Sequence, residues 1–301
     1  MNVFLRALLA LAAATAFAAA AQAKAYPSPE AAVEALGAAV RSDDPRSVEA
    51  VLGPSSGALV QSGDPVADKN DRAAFAKIFD AKHQVEVQGA VATLVVGDDN
   101  RPFPIKLRAV GGRWMFDIAA ARQDILNRRV GRNELNAIEV CRAIVDAERD
   151  YASADRTGAG FAEYAQKFMS DEGQKNGLYW QSAAGEPQSP LGPLVATARS
   201  QGYNGRHAPY HGYFYKILLS QGSHAEGGAR SYVVHGHMIA GFAILAYPAK
   251  WGDSGVMTFL VDRSGAVLQR NLGRDTARIA PAMTRYDPDA GWKPAEAASA
   301  K

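Results

Sequence analysis

Five of the six histidines of this chain lie between positions 207 and 237: His207, His211, His224, His235 and His237. Imidazole is the commonest transition-metal ligand and titrates near neutral pH. On a strand, His235 and His237 would share one face, because side chains alternate with period two. His207 and His211 have helical i,i+4 spacing, but Pro209 stands between them and disfavours a helix. The chain contains no HExxH pattern and no histidine tract. Two chemistries are open to this region: metal-assisted catalysis through His211, His235 and His237, or hydrogen bonding by structural imidazoles.

Other patterns are weaker. Gly252-Asp253-Ser254-Gly255 has the form of the serine-protease nucleophile segment GDSGG, but Val256 occupies the fifth place. A triad also needs a histidine base and an aspartate in reach, and no segment resembles the one around a protease histidine. Between two predicted strands, GDSG reads as a turn. The run from Asp155 to Gly160, with Glu163, is a worn calcium loop. Ala159 offers only its carbonyl, and Gln166 stands at the twelfth position, where a calcium loop carries Glu. It reads as a turn that ends a helix.

Aromatic residues gather in the same half: Tyr179, Trp180, Tyr203, Tyr210, Tyr213, Tyr215 and Trp251. They lie in or near a segment, 173–201, rich in Gly, Pro and Ser. Such residues line a binding groove or anchor the loop to a sheet, and Trp180 is expected to pack beside Tyr213 or Tyr215. The candidate ligand-binding residues are Trp180, Tyr210, His211, Tyr213, His237 and Trp251. No catalytic residue, metal ligand set or cofactor is assigned.

These residues need elements to position them. The central one is a helix over 133–151, with Ile138, Cys141 and Val145 on one side, widened by Ala137, Val140, Ile144, Ala147 and Tyr151. Gly131 interrupts the preceding pattern, and Asn133 is read as the N-cap with Glu134 in the first turn. Cys141, the one cysteine, lies on the apolar face and is expected to be a buried, inert thiol. Glu148 lies on the same face and is expected at the rim of the core, bonded to a Ser, Arg or Tyr, since a buried carboxylate needs a partner or a raised pKa.

Before this helix come helices over 27–41, 43–52 and 71–81, then strands around 85–96, 103–110 and 113–118 separated by the turns 97–100 and 111–112. This is a small α+β arrangement on the pattern of nuclear-transport-factor-2-like or cystatin-like folds. A linking helix over 119–129 leads to the central one. After it come a short helix over 161–168 and strands over 213–219, 231–234, 241–247, 256–262 and 266–270. The predicted organisation is a domain over 25–118, a helix-plus-antiparallel-sheet domain over 119–294, and a frayed tail over 295–301.

At 301 residues, with 48% hydrophobic and 21% charged residues, the chain has the composition of one large or two ordinary globular domains. The net charge of +2, with no block of like charges, argues against nucleic acid, which requires a clustered basic face. Residues 1–23 read as an export signal. Arg6 supplies the positive end, an apolar run follows, and Ala21-Gln22-Ala23 is the small-x-small cleavage site. The mature protein is expected to start near Lys24, to be periplasmic or secreted, and to have no transmembrane span.

The blocks ILNRRVGRNELNAIEVCRAIVDAERDYA, EYAQKF, GLYW, GEPQSPLGPLV, YHGYFYKIL, GHMIAGFAILAYPAKWGDSGVMTF and AMTRYDPD occur in this order. In them the chain resembles a bacterial exported family, domain of unknown function 2950, along essentially the whole mature sequence. The resemblance implies an exported protein with no assigned activity and no catalytic residues to transfer. The second half is also similar to the globular part of pilin-like and pseudopilin-like proteins, in which a helix packs on an antiparallel meander. It lacks their long apolar N-terminal helix. The reading reached is an α+β exported protein, a non-enzymatic envelope binding or interaction module whose partner is an envelope protein or small ligand. The alternative is a metal-assisted enzyme built on His211, His235 and His237.

Overall fold

The computed structural model describes residues 24–183, 185–205 and 208–295. The predicted signal segment 1–23, His207 and the tail from 296 lie outside the described residues.

Four helices open the chain: α1 Pro29–Arg41, α2 Pro45–Leu52, α3 Gly57–Val60 and α4 Pro65–Ala81. Three of them start at an oxygen-bearing cap followed by proline. Ser28 accepts from Ala31 N, Asp44 from Arg46 and Ser47 N, and Asp64 from Ala67 N. Each cap satisfies a backbone donor that the first turn leaves free, and proline costs nothing where that N–H has no partner. The Asp64-Pro65 start puts the beginning of α4 six residues before the expected position 71.

Strands β1 His83–Gln88, β2 Val91–Val96, β3 Arg101–Pro102, β4 Leu107–Val110 and β5 Arg113–Phe116 form an antiparallel sheet in the order β1-β2-β4-β5, with β3 beside β2. Of the strand expected over 103–110 only Leu107–Val110 forms; residues 103–106 are irregular and β3 precedes them. Leu36, Val40, Phe79, Leu94, Leu107 and Phe116 fill the core between helices and sheet. Gly37 is required at its place, because the Phe79 ring comes within 2.6 Å of where a Cβ would sit.

A single helix, α5 Ile118–Tyr151, then runs for 34 residues, capped by Asp117, about 50 Å at 1.5 Å per residue. The expected break at Gly131 does not occur. Asn133 is no cap but a buried mid-helix residue whose Nδ2 donates to Ser254 O at 2.9 Å. Glu134 Oε1 accepts from the N–H groups of Val256 and Met257, both at 2.9 Å. The expectation failed because polar residues that look like a helix start are spoken for by the turn and the strand start over 120 positions away.

The second half of the chain carries α6 Gly192–Ser200 and strands β6 Tyr213–Leu218, β7 Ser220–Gln221, β8 Arg230–Ser231, β9 Val233–Val234 and β10 His237–Met238. Strands β11 Ala243–Pro248, β12 Met257–Asp262 and β13 Val267–Asn271, helix α7 Thr276–Ala282 and strand β14 Lys293–Pro294 complete it. The main sheet is antiparallel in the order β14-β13-β12-β11-β6, with Ala243 opposite Leu218 on one side and Asp262 on the other. β11 contacts both α5 and α7, so its residues form a continuous apolar run instead of alternating. Ala137, Ile138, Cys141, Ile144 and Val145 of α5 join Phe242, Ile244, Phe259 and Leu260 in a second core. The fold is α+β: helices, an antiparallel meander, a long helix, and a second antiparallel sheet.

Residues 161–168 form no helix. Their backbone pairs in extended fashion, with Tyr164 N donating to Met238 O and Tyr179 N to Phe168 O, both at 2.8 Å. Among the described residues no helix is long and apolar enough to cross a membrane.

Candidate binding cleft at His237

The hairpin of β9 and β10 turns at His235-Gly236, where His235 has φ +52° and Gly236 φ +89°. His235 and His237 are therefore not alternate residues of one strand, and the shared face expected of them does not arise. Instead His237 meets the chain that leaves α5. Its Nδ1 lies 3.1 Å from Oε2 of Glu163, and Oε1 of Glu163 accepts from Thr157 Oγ1 at 2.7 Å. Glu163 is only 7% exposed. The ring of Phe161 stands edge-on to His237 with centroids 4.9 Å apart. The Tyr164–Met238 backbone bridge sets the spacing of the two segments.

The resulting cleft holds about 330 Å³ and is lined by Tyr151, Thr157, Glu163, Tyr164, Gln166, Asn176 and His237 among others. Tyr151, at the end of α5, donates its hydroxyl to Lys175 O at 2.6 Å. Trp180 packs edge-on against Tyr151 at 6.5 Å, not beside Tyr213 or Tyr215 as expected. Below them Glu148 is wholly buried, at 0% exposure, and is no rim residue. Its Oε2 accepts from Ala165 N at 2.9 Å, and its Oε1 has no partner among the described residues. Burial pushes its pKa up to about 8, against which the one backbone hydrogen bond works only in part.

One wall of the cleft is the run read as a worn calcium loop. Asp155 accepts from the N–H groups of Gly158, Ala159 and Gly160, and these backbone bonds, Gly160 foremost, hold its carboxyl below the ordinary range. The carboxylate is thus occupied in holding its own turn. Thr157 and Glu163, which in a calcium loop would be metal oxygens, are bonded to each other. The Glu163–His237 pair spans 74 positions, and no local pattern announces it.

The remaining candidates fall elsewhere. The Tyr210 and His211 rings lie tilted against each other with centroids 4.1 Å apart, and Tyr203 is edge-on to Tyr210 at 4.9 Å. Tyr203 and Tyr210 line a separate hollow of about 160 Å³ with Arg199 and Pro209. Burial lowers the His211 pKa, which favours the neutral ring. Tyr213 belongs to the core and donates to Met257 O at 2.9 Å. Trp251 donates its indole N–H to Asn271 Oδ1 at 3.0 Å. Ser254 of the GDSG segment is buried, and its hydroxyl bonds the backbone of Lys250 in a turn. Cys141 is fully buried and its pKa is pushed up to about 12, which suppresses the thiolate a nucleophile needs. Among the described residues no group of three or more His, Cys, Asp or Glu is placed to hold a metal; His211 and His237 sit in different clusters.

The fold is a helix-and-meander half joined by one long helix to a second antiparallel half that carries a polar cleft with an aromatic rim. This is the architecture of an α+β protein with a solvent-open cleft in its second half. The chain belongs to the DUF2950 family: the profile described as "Protein of unknown function (DUF2950)" matches residues 23–295. No curated protein and no solved structure matches the chain, so the likeness to pilin-like domains has no counterpart among these comparisons.

Proposed function

We propose that this protein is an exported, non-enzymatic binding module, and that the His237 cleft is where it takes a small polar ligand. Export is supported by the composition of residues 1–23, with one basic residue, an apolar run and a small-x-small end. The observation that carries the binding reading is Glu163. Its carboxylate is almost wholly shielded, is oriented by Thr157 and His237, and still borders an open cleft. Such pre-oriented polar groups beside an aromatic face suit a ligand with hydroxyl or amine donors and one apolar side. Tyr151 and Tyr164 of the cleft lining supply that face, with Phe161 exposed beside His237.

The test is histidine NMR on the protein from Lys24 onward, with N-acetylglucosamine, glycylglycine and putrescine as probes. A saturable shift of the His237 imidazole signal by one probe, lost in Glu163→Gln, supports the reading. If none of the three moves His237, or if a probe moves other histidines while His237 stays fixed, the cleft is not the binding site.

A further inference from the structure

The first half of the chain contains a second hollow, open to solvent on one side and separate from the histidine cleft. Leu36, Val48, Leu52, Phe75, Phe103 and Ile105 are among the side chains that border a cavity of about 200 Å³ between α1, α2, α4 and the stretch after β3. An apolar cavity of about 150 Å³ is enough to take up benzene, so this one accommodates a single ring or a chain of several carbons.

Its polar end is unusual. Arg72 donates twice to Asp43 Oδ1, through Nε at 3.1 Å and Nη2 at 2.8 Å. Its Nη1 is buried and has no partner among the described residues. A buried donor left without an acceptor is costly, and a guanidinium is the side chain best suited to a carboxylate. Arg72 and Asp68 also border an adjoining chamber of about 260 Å³, with Pro45, Gln61 and Lys250. The two spaces meet at Arg72 and Asp68, which line both. The acids nearby are engaged: Asp68 accepts from Ser62 N at 2.9 Å, Asp71, which also lines the apolar cavity, pairs with Arg132 at 3.6 Å, Asp43 pairs with Arg72, and Asp253 pairs with Lys250 at 2.6 Å.

We infer that this pair of chambers is a binding site for a small amphiphilic acid, its ring or alkyl chain in the apolar cavity and its carboxylate on Arg72, within reach of the Lys250 charge. Spaces of this size have no room for a folded partner. Arg72 borders both spaces, so a head group emerging from the cavity meets its guanidinium. A neutral apolar guest would fill the cavity and leave the Arg72 donor as it is.

The experiment uses the whole chain from Lys24, with octanoate and 1-octanol as probes, calorimetry for affinity, and methyl NMR of Leu52 and Ile105 for location. The expected result is one saturable octanoate site that shifts both methyl groups and binds at least tenfold tighter than octanol. Arg72→Gln should weaken octanoate tenfold or more and leave octanol unchanged. The wild-type comparison of the two probes stands even if that variant fails to fold. Equal affinity for acid and alcohol, or no methyl shift at millimolar octanoate, overturns the inference. The His237 signal is expected to stay fixed throughout, which keeps this site distinct from the cleft.

Discussion

Tyr203 donates its hydroxyl to Oδ2 of Asp64 at 2.9 Å, across 139 positions of sequence. The same oxygen accepts from Gly212 N at 2.8 Å, while Oδ1 caps α4 through Ala67 N at 3.0 Å. Asp64 is 1% exposed. One buried carboxylate therefore starts a helix in the first half and holds a loop of the second. Burial, then the charge of Asp64, raises the Tyr203 pKa, so the phenol stays a donor at any working pH.

Removing this carboxylate should cost more than removing any one of its donors. Hydrogen bonds to charged groups contribute about 1.5–3 kcal/mol each, and loss of a cap about 1. Asp64→Ala should then destabilise by about 4–7 kcal/mol, and Tyr203→Phe by about 1.5–3. Urea unfolding measures both. Equal, small losses would mean that Asp64 acts only as a cap.

Glu148 predicts a pH dependence of the opposite sense to the usual carboxylate. Its folded pKa, about 8, stands above the ordinary 4.5. The folded state thus keeps a proton that the unfolded state gives up, and stability from this group is present below pH 4.5 and declines until pH 8. At about 1.4 kcal/mol per unit, the loss over the window is on the order of 5 kcal/mol. Glu148→Gln should match the wild type near pH 4.5 and exceed it increasingly towards pH 8. The quantity to measure is the difference in unfolding free energy between the two at each pH. A constant difference from pH 4.5 to 8 would refute a buried, protonated Glu148.

We propose that the two cores correspond to two domains joined through α5. The first core draws Ile118 and Ala121 from the start of that helix, with Ile125 packed on it, so a cut after 118 removes part of its packing. A fragment 24–131 should show a cooperative unfolding transition, and fragment 25–118 a weaker one. Fragment 120–293 should hold secondary structure by itself. Random-coil circular dichroism from all three would show that the halves share one folding unit, with the Asp64 knot as part of it.

What can be read from sequence follows from how locally each element is specified. The Ser28-Pro29 and Asp44-Pro45 starts, the Gly97–Asn100 turn and strands β6, β11, β12 and β13 of the second sheet all declare themselves within a few residues, whereas β14 does not. The same cap-proline signal stands at Asp64-Pro65, but the stronger apolar pattern further on points to a later start. Cys141 follows from helical periodicity alone. The site does not. Of the six candidate residues, only His237 lines the cleft at Glu163; Tyr213 is core, and Tyr210 and His211 form their own aromatic group. Glu163, Thr157 and Arg72 gain their significance from partners that only the folded chain brings close, and residue type carries no mark of that.

The last prediction concerns the point where sequence and structure disagree most, the join in α5. A glycine followed closely by an asparagine resembles a break and a new start. In the structure Gly131 lies inside the helix, with open space around the position of a Cβ. Alanine there adds helix propensity and removes unfolded-state freedom without a clash, so Gly131→Ala should stabilise by about 0.5–1 kcal/mol. Gly212 is the counterpart. Its φ is +77°, and a Cβ would come within 2.6 Å of Asn133 Nδ2, the group that fastens α5 to Ser254. Gly212→Ala should therefore destabilise by about 1–3 kcal/mol through strain and displacement of Asn133. Thermal unfolding of the two variants beside the wild type distinguishes the arrangements. If α5 were broken at Gly131, alanine there would be neutral or harmful. If Asn133 were a solvent-facing cap, alanine at position 212 would meet only its own backbone strain. Adding Asn133→Ala would then leave the whole cost of Gly212→Ala in place. With the continuous helix, Asn133→Ala should relieve part of the Gly212→Ala penalty, because the atom that the new methyl group would strike is gone.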